Sequence, residues 1–120
     1  MDFKEFAKKA ERQDTRNRFE ACSKDLSFIP KTMQGFYSEY NPVDVEVSMD
    51  GNAVRFYPYS DLKELKQDYE LEDDRFVFAT CNSDPIFMYN DKIYTYCHEC
   101  SVTDYELLAE SFSDFLLQTD

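Results

Sequence analysis

The segment from Val43 to Tyr57 constrains the fold more than any other part of the chain. Val43, Val45 and Val47 alternate with Asp44, Glu46 and Ser48, and after Asp50-Gly51 the alternation resumes through Val54, Arg55, Phe56 and Tyr57. A period of two puts the apolar side chains on one face of a strand. Asp-Gly is favoured in the type I′ turn, where both residues need positive φ. That turn predicts Val47 opposite Val54, Val45 opposite Phe56, and Glu46 opposite Arg55. Two apolar pairs and one opposite-charge pair fall into register together, and a slip of one residue would turn every valine to solvent.

The stretch Arg75 to Tyr96 predicts three more strands: Phe76–Cys81, Pro85–Tyr89 and Lys92–Tyr96. Asn90-Asp91 reads as a short turn that pairs Met88 with Ile93 and Phe87 with Tyr94. Ile86, Met88 and Ile93 then share one face, and Phe87, Tyr89, Tyr94 and Tyr96 share the other. Two apolar faces imply a sheet covered at least partly on both sides.

Helical spacing joins Phe3, Phe6, Ala7 and Ala10, and Phe19, Cys22 and Leu26 repeat it after a polar interruption at Gln13–Thr15. This predicts one helix with a weak centre, or two short ones, over residues 1–25. Pro30 opens a helix with Met33, Phe36, Tyr37 and Tyr40 on one face, and Asn41-Pro42 ends it. Ser60-Asp61, with Glu64 three residues after Asp61, starts another helix that turns Leu62, Leu65 and Tyr69 inward. Thr103 and Glu106 have capping-box spacing for a final helix with Tyr105, Leu108, Phe112, Phe115 and Leu116 inside. The expected architecture is a single α+β domain over residues 1–120, a mainly antiparallel sheet of about five strands with helices packed on it.

The net charge is −12, and it is unevenly placed. Residues 1–31 carry eight basic and six acidic side chains, whereas residues 32–120 carry five basic and nineteen acidic, a net −14. Such a field repels nucleic acid and anionic lipid and speeds encounter with a basic partner. An acidic surface that merely confers solubility is the competing explanation. No apolar run approaches the roughly 20 residues that span a bilayer, and the charged N-terminus MDFKEFAKKAERQD has no secretory apolar stretch. A cytoplasmic location is expected, with Cys22, Cys81, Cys97 and Cys100 as reduced thiols.

Cys97-His98-Glu99-Cys100 invites a metal or redox reading. A structural zinc site wants four ligands, usually from two such pairs, and there is one pair. Redox use needs the first thiol at a helix N-terminus, and the predicted helix starts too far on. His98 stands alone, without a serine or cysteine and an orienting acid at triad spacing, and nothing marks one carboxyl as desolvated. No enzyme activity, cofactor or metal is expected. The expected partner is a protein. Its candidate surface is Asp68, Glu70, Glu72, Asp73 and Asp74, with Asp84 and the tyrosines Tyr89 and Tyr94 as possible contact points. A solvated loop, a turn cap at Asp84 and rings buried as core are the plainer alternatives.

Element order and several local units resemble the SUKH superfamily, the immunity-protein-like domains related to the yeast cell-wall synthesis regulator. The units are Ile29-Pro30-Lys31 opening a helix, a strand followed by the Ser60-Asp61-Leu62-Lys63-Glu64-Leu65 helix, the strand Phe76–Cys81, and the Ser83-Asp84-Pro85-Ile86 entry to the next strand. A closing amphipathic helix, Glu106–Leu117, completes an order that covers about residues 26–117. Asn41-Pro42 stands where the family pattern often has Asn-Gly, and the basic N-terminal segment has no counterpart. The resemblance implies a cytosolic antidote, monomeric or weakly dimeric, that binds and blocks a toxin domain, commonly a basic nuclease. It also leaves open an adaptor or regulatory domain in a cellular complex, as in the eukaryotic relatives.

Overall fold

The computed structural model describes residues 2–69, 71–97 and 104–120. Among the described residues seven strands form one sheet in which each pairs antiparallel with the next in sequence, so the order of these strands is a meander. They are β1 (Arg18–Glu20), β2 (Asn41–Met49), β3 (Asn52–Phe56), β4 (Phe76–Cys81), β5 (Asp84–Tyr89), β6 (Lys92–Thr95) and β7 (Glu106–Ala109). The helices are α1 (Phe3–Gln13), α2 (Lys31–Tyr40), α3 (Leu62–Tyr69) and α4 (Phe112–Leu116). The α+β class stands as expected, with seven strands in place of about five.

Both predicted hairpins have the predicted register. Val47 faces Val54, Val45 faces Phe56, and Glu46 faces Arg55; Met88 faces Ile93 and Phe87 faces Tyr94. Asp50 and Gly51 have φ of 48° and 81°, and Asn90 and Asp91 have 51° and 62°, as a two-residue primed turn requires. Local turn chemistry and side-chain alternation agree here, so register follows directly from sequence.

The two additional strands come from segments with helical spacing. Phe19, expected on a helix, lies in β1 and packs its ring 6.0 Å from Phe6 and 6.5 Å from Phe36. Buried Asn17 sets this path. Its amide donates to the carbonyls of Ala10 at 2.8 Å and Glu46 at 3.0 Å, and its carbonyl accepts the Glu46 N–H at 2.9 Å. That side chain satisfies the end of α1 and ties the chain to β2, which fixes an extended exit. The closing helix is shorter than expected because Glu106 to Ala109 pair with β6, giving its backbone groups partners. Ser111 caps α4, accepting the Asp114 N–H at 3.0 Å. Glu106 is therefore no capping residue, and Thr103 lies outside the described residues. A 3-10 turn, Tyr59–Asp61, precedes α3, and the Asp61 carboxylate accepts from the Ser60 hydroxyl and not from the Glu64 N–H, so the expected Asp61–Glu64 box is not made.

The sheet separates two cores. On one face Val45, Val47, Phe56, Phe78, Ile86, Met88 and Ile93 meet α1, α2 and α4. Phe36 is the hub, with the rings of Phe3, Phe6, Phe19, Tyr37, Phe56 and Phe112 between 5.2 and 6.5 Å away. On the other face α3 lays Leu65 against Val77 and Phe87, ringed by Tyr57, Tyr69, Leu71, Tyr89, Tyr94 and Tyr96. A bulge between Val77 and Ala79 makes this possible: Phe78 and Ala79 both join the first core while Val77 serves the second. Among the described residues no helix is long and apolar enough to cross a membrane.

Candidate partner-binding surface

Among the described residues one helix, the eight-residue α3, packs on the second face, against β4. Toward β7 the aromatic row therefore emerges into solvent. Tyr105 is 39% exposed and Leu107 46% exposed, beside half-buried Tyr94 and Tyr89. The Tyr105 ring lies 4.9 Å from the fully buried Phe87 and 6.2 Å from Tyr94, and Tyr89 lies 6.3 Å from Tyr94. These tyrosines are anchored at one side in the second core and open at the other, an arrangement that costs little side-chain entropy when a partner covers them.

Arg75 joins this row to the acidic turn before β4. Its guanidinium pairs with Asp74 and, at 3.3 Å, with Glu72, while it sits 3.9 Å from the centre of the Tyr89 ring and 5.8 Å from that of Tyr105. The Asp74 hydrogen bond is the main reason the Arg75 pKa is raised, so it is cationic at any working pH. The Arg75 side chain is mostly covered, and two carboxylates and two rings hold it in place. Nothing in the local sequence of an isolated arginine beside two aspartates signals that it would stack on Tyr89. The β4–β5 pairing, which brings Phe76 opposite Met88, makes the contact.

The eight candidate residues do not form one patch. Glu72, Asp73, Asp74, Tyr89 and Tyr94 gather at the end of the second face where β4 begins. Asp68 and Asp84 belong to the other end of the β4–β5 hairpin, around Tyr69. The Tyr69 hydroxyl donates to the Ser83 carbonyl at 2.6 Å, and its pKa is raised by burial first and then by Tyr57, Asp68 and Asp84. Glu70 lies outside the described residues. The acidic turn is also less negative than its composition implies, because Lys66 pairs with Asp73 at 3.4 Å and Arg75 with its two neighbours. Along α3, Asp61 and Glu64 line the same shallow groove as Asp68, Tyr57 and Tyr69. Asp61 and Glu64 also have capping-box spacing. Their i, i+3, i+7 spacing with Asp68 marks one helix face and was the available signal.

Cys22 and Cys81 are free thiols, and the Cys81 thiol is pushed up by burial and by Asp84. Cys97 is disulfide-bonded, which corrects the expectation of four reduced thiols. That expectation rested on compartment alone. Among the described residues no three His, Cys, Asp or Glu side chains converge as metal ligands; His98 and Cys100 lie outside them.

The chain matches no family model, and no curated protein matches it.

Proposed function

We propose that the protein is a SUKH-like immunity protein that acts in the cytoplasm by binding a basic toxin domain and covering its active cleft, without turning over a substrate. The observation that supports this most is the open end of the second sheet face. There Tyr105, Tyr94, Tyr89 and Leu107 lie beside Glu72, Asp73 and Asp74, and Arg75 holds the two groups in one surface. Half-exposed tyrosines on a rigid sheet supply hot-spot area, and the carboxylates, with a net −14 over residues 32–120, supply long-range attraction to a cationic partner.

The test is association kinetics with a basic nuclease toxin domain, sought first in the gene next to this protein's own. Glu72→Lys and Asp73→Lys together should slow association severalfold at low salt and flatten its salt dependence. Tyr105→Ala should speed dissociation with the association rate nearly unchanged. Asp74 is left intact so that Arg75 keeps its closest carboxylate. Unaltered kinetics in both variants would remove this surface from consideration.

A further inference from the structure

The turn between β2 and β3 carries Asp50-Gly51, and both residues are exposed. In this pair the Gly51 nitrogen can attack the Asp50 side-chain carboxyl carbon, because glycine has no side chain to obstruct the approach. The N–Cγ bond forms, the C–OH bond breaks, and the oxygen leaves as water with the nitrogen's proton. Water then reopens the cyclic imide. Addition at the side-chain carbonyl restores aspartate, whereas addition at the backbone carbonyl leaves an isoaspartyl link with an extra methylene in the main chain. One water leaves and one returns, so the reaction needs no co-reactant. The surroundings leave room for it, since a Cβ built on Gly51 would meet no atom within 4 Å.

The Asp120 carboxylate stands against this reaction. Its two oxygens accept the Asp50 N–H at 3.1 Å and the Gly51 N–H at 3.0 Å. Those two nitrogens define the ψ torsion of Asp50, so a single carboxylate that holds both keeps them on the same side of the Cα–C bond. Ring closure instead eclipses the Gly51 nitrogen with Cβ, roughly 120° of rotation away from the Asp50 nitrogen. There the two N–H groups diverge and one carboxylate no longer bridges them. The carboxylate is itself anchored. The Ser48 hydroxyl donates to it, the Asp120 N–H donates to the Ser48 carbonyl at 2.9 Å, and the Gln13 amide donates to the Asp120 carbonyl at 3.0 Å. The Ser48 hydroxyl first, and then the Gly51 N–H, hold this carboxyl below its ordinary value of 3.8, and so weak a base does not take the Gly51 proton. We propose that Asp50-Gly51 is a latent isoaspartate site, kept closed by the Asp120 carboxylate through the torsion that it locks. The inference is independent of any partner the protein binds.

The test is to age the full chain for weeks in dilute buffer near neutral pH. Isoaspartate is counted by enzymatic methylation of isoaspartyl carboxyls and placed at position 50 by fragmentation of the peptide that contains it. Asp120→Ala should form it there at least about tenfold faster than wild type, the factor that one lost charge-assisted hydrogen bond is worth. Ser48→Ala loosens the same carboxylate more gently and should give a smaller, severalfold rise. Asn17→Ala is the control for stability, because it weakens the α1–β2 junction and leaves the Asp120 contacts in place. Its rate should stay at the wild-type value. Equal rates in wild type, Asp120→Ala and Ser48→Ala would overturn the proposal. So would slower formation in Asp120→Ala, which would make the carboxylate a base for the reaction. A rise in Asn17→Ala as large as that in Asp120→Ala would also overturn it, by tracing the modification to general unfolding.

Discussion

Phe87→Ala should separate the second core from the rest of the molecule. Phe87 is fully buried, with the Tyr105, Tyr94 and Tyr96 rings at 4.9, 6.0 and 6.3 Å and Leu65 of α3 and Val77 of β4 in the same cluster. Truncating a buried phenylalanine costs about 3–5 kcal/mol, and loss of three ring contacts places this site in the upper half, about 4–5 kcal/mol. Against the roughly 5–15 kcal/mol that holds a domain together, that is a large share. With an unfolding entropy of about 2.1 cal/mol/K per residue over 120 residues, the midpoint temperature should fall by about 16–20 °C. Urea unfolding measures the global loss, and amide exchange shows where it falls. Leu65 is the residue by which α3 joins this core, so α3 amides should lose protection well before those of β2 and β3. A loss below about 1 kcal/mol, or α3 amides exchanging in step with the first core, would refute the two-core description.

Asn17→Ala removes the partners of two backbone carbonyls and one backbone N–H at the junction of α1 and β2; a destabilisation of about 2–3 kcal/mol by urea unfolding is expected, and a value near zero would show that β1 does not depend on this side chain. The Asp120 carboxyl is held below its ordinary value of 3.8, first by the Ser48 hydroxyl and then by the Gly51 amide, with a smaller contribution from the Asp50 amide. A folded-state pKa below the unfolded one means that its stabilisation is complete above the ordinary value and disappears as pH falls through the lower one. Wild-type protein should therefore lose stability relative to Asp120→Asn between about pH 5 and pH 2. Parallel pH profiles of the two proteins would contradict the contact.

Where local rules and tertiary demand agree, the sequence was enough. Asp50-Gly51 and Asn90-Asp91 dictated both turns, and the alternation of valines and aromatics set which side chains share a face. Where an apolar spacing suited two structures, tertiary demand decided. Phe19 buries its ring equally well from a helix or a strand, and Asn17 tips it toward a strand. Leu107 to Ala109 could have continued a helix, but β6 lacked a partner on one edge. The candidate surface was legible as residue types and not as a place. Tyr105 has helical spacing with Leu108 and Phe112, yet it precedes the strand β7 and only Phe112–Leu116 is helical, and Arg75 carries no local sign of joining carboxylates to tyrosines. Pairing between distant strands creates both features.

The most direct test of the central claim is to titrate this protein into a fixed amount of a toxin domain that binds it while following the toxin's own activity. Activity should fall linearly and reach its floor at one equivalent, and intact toxin should be recovered when the complex is dissociated. Complete inactivation by a small fraction of an equivalent, or a chemically altered toxin afterwards, would show that the protein transforms its target instead of covering it.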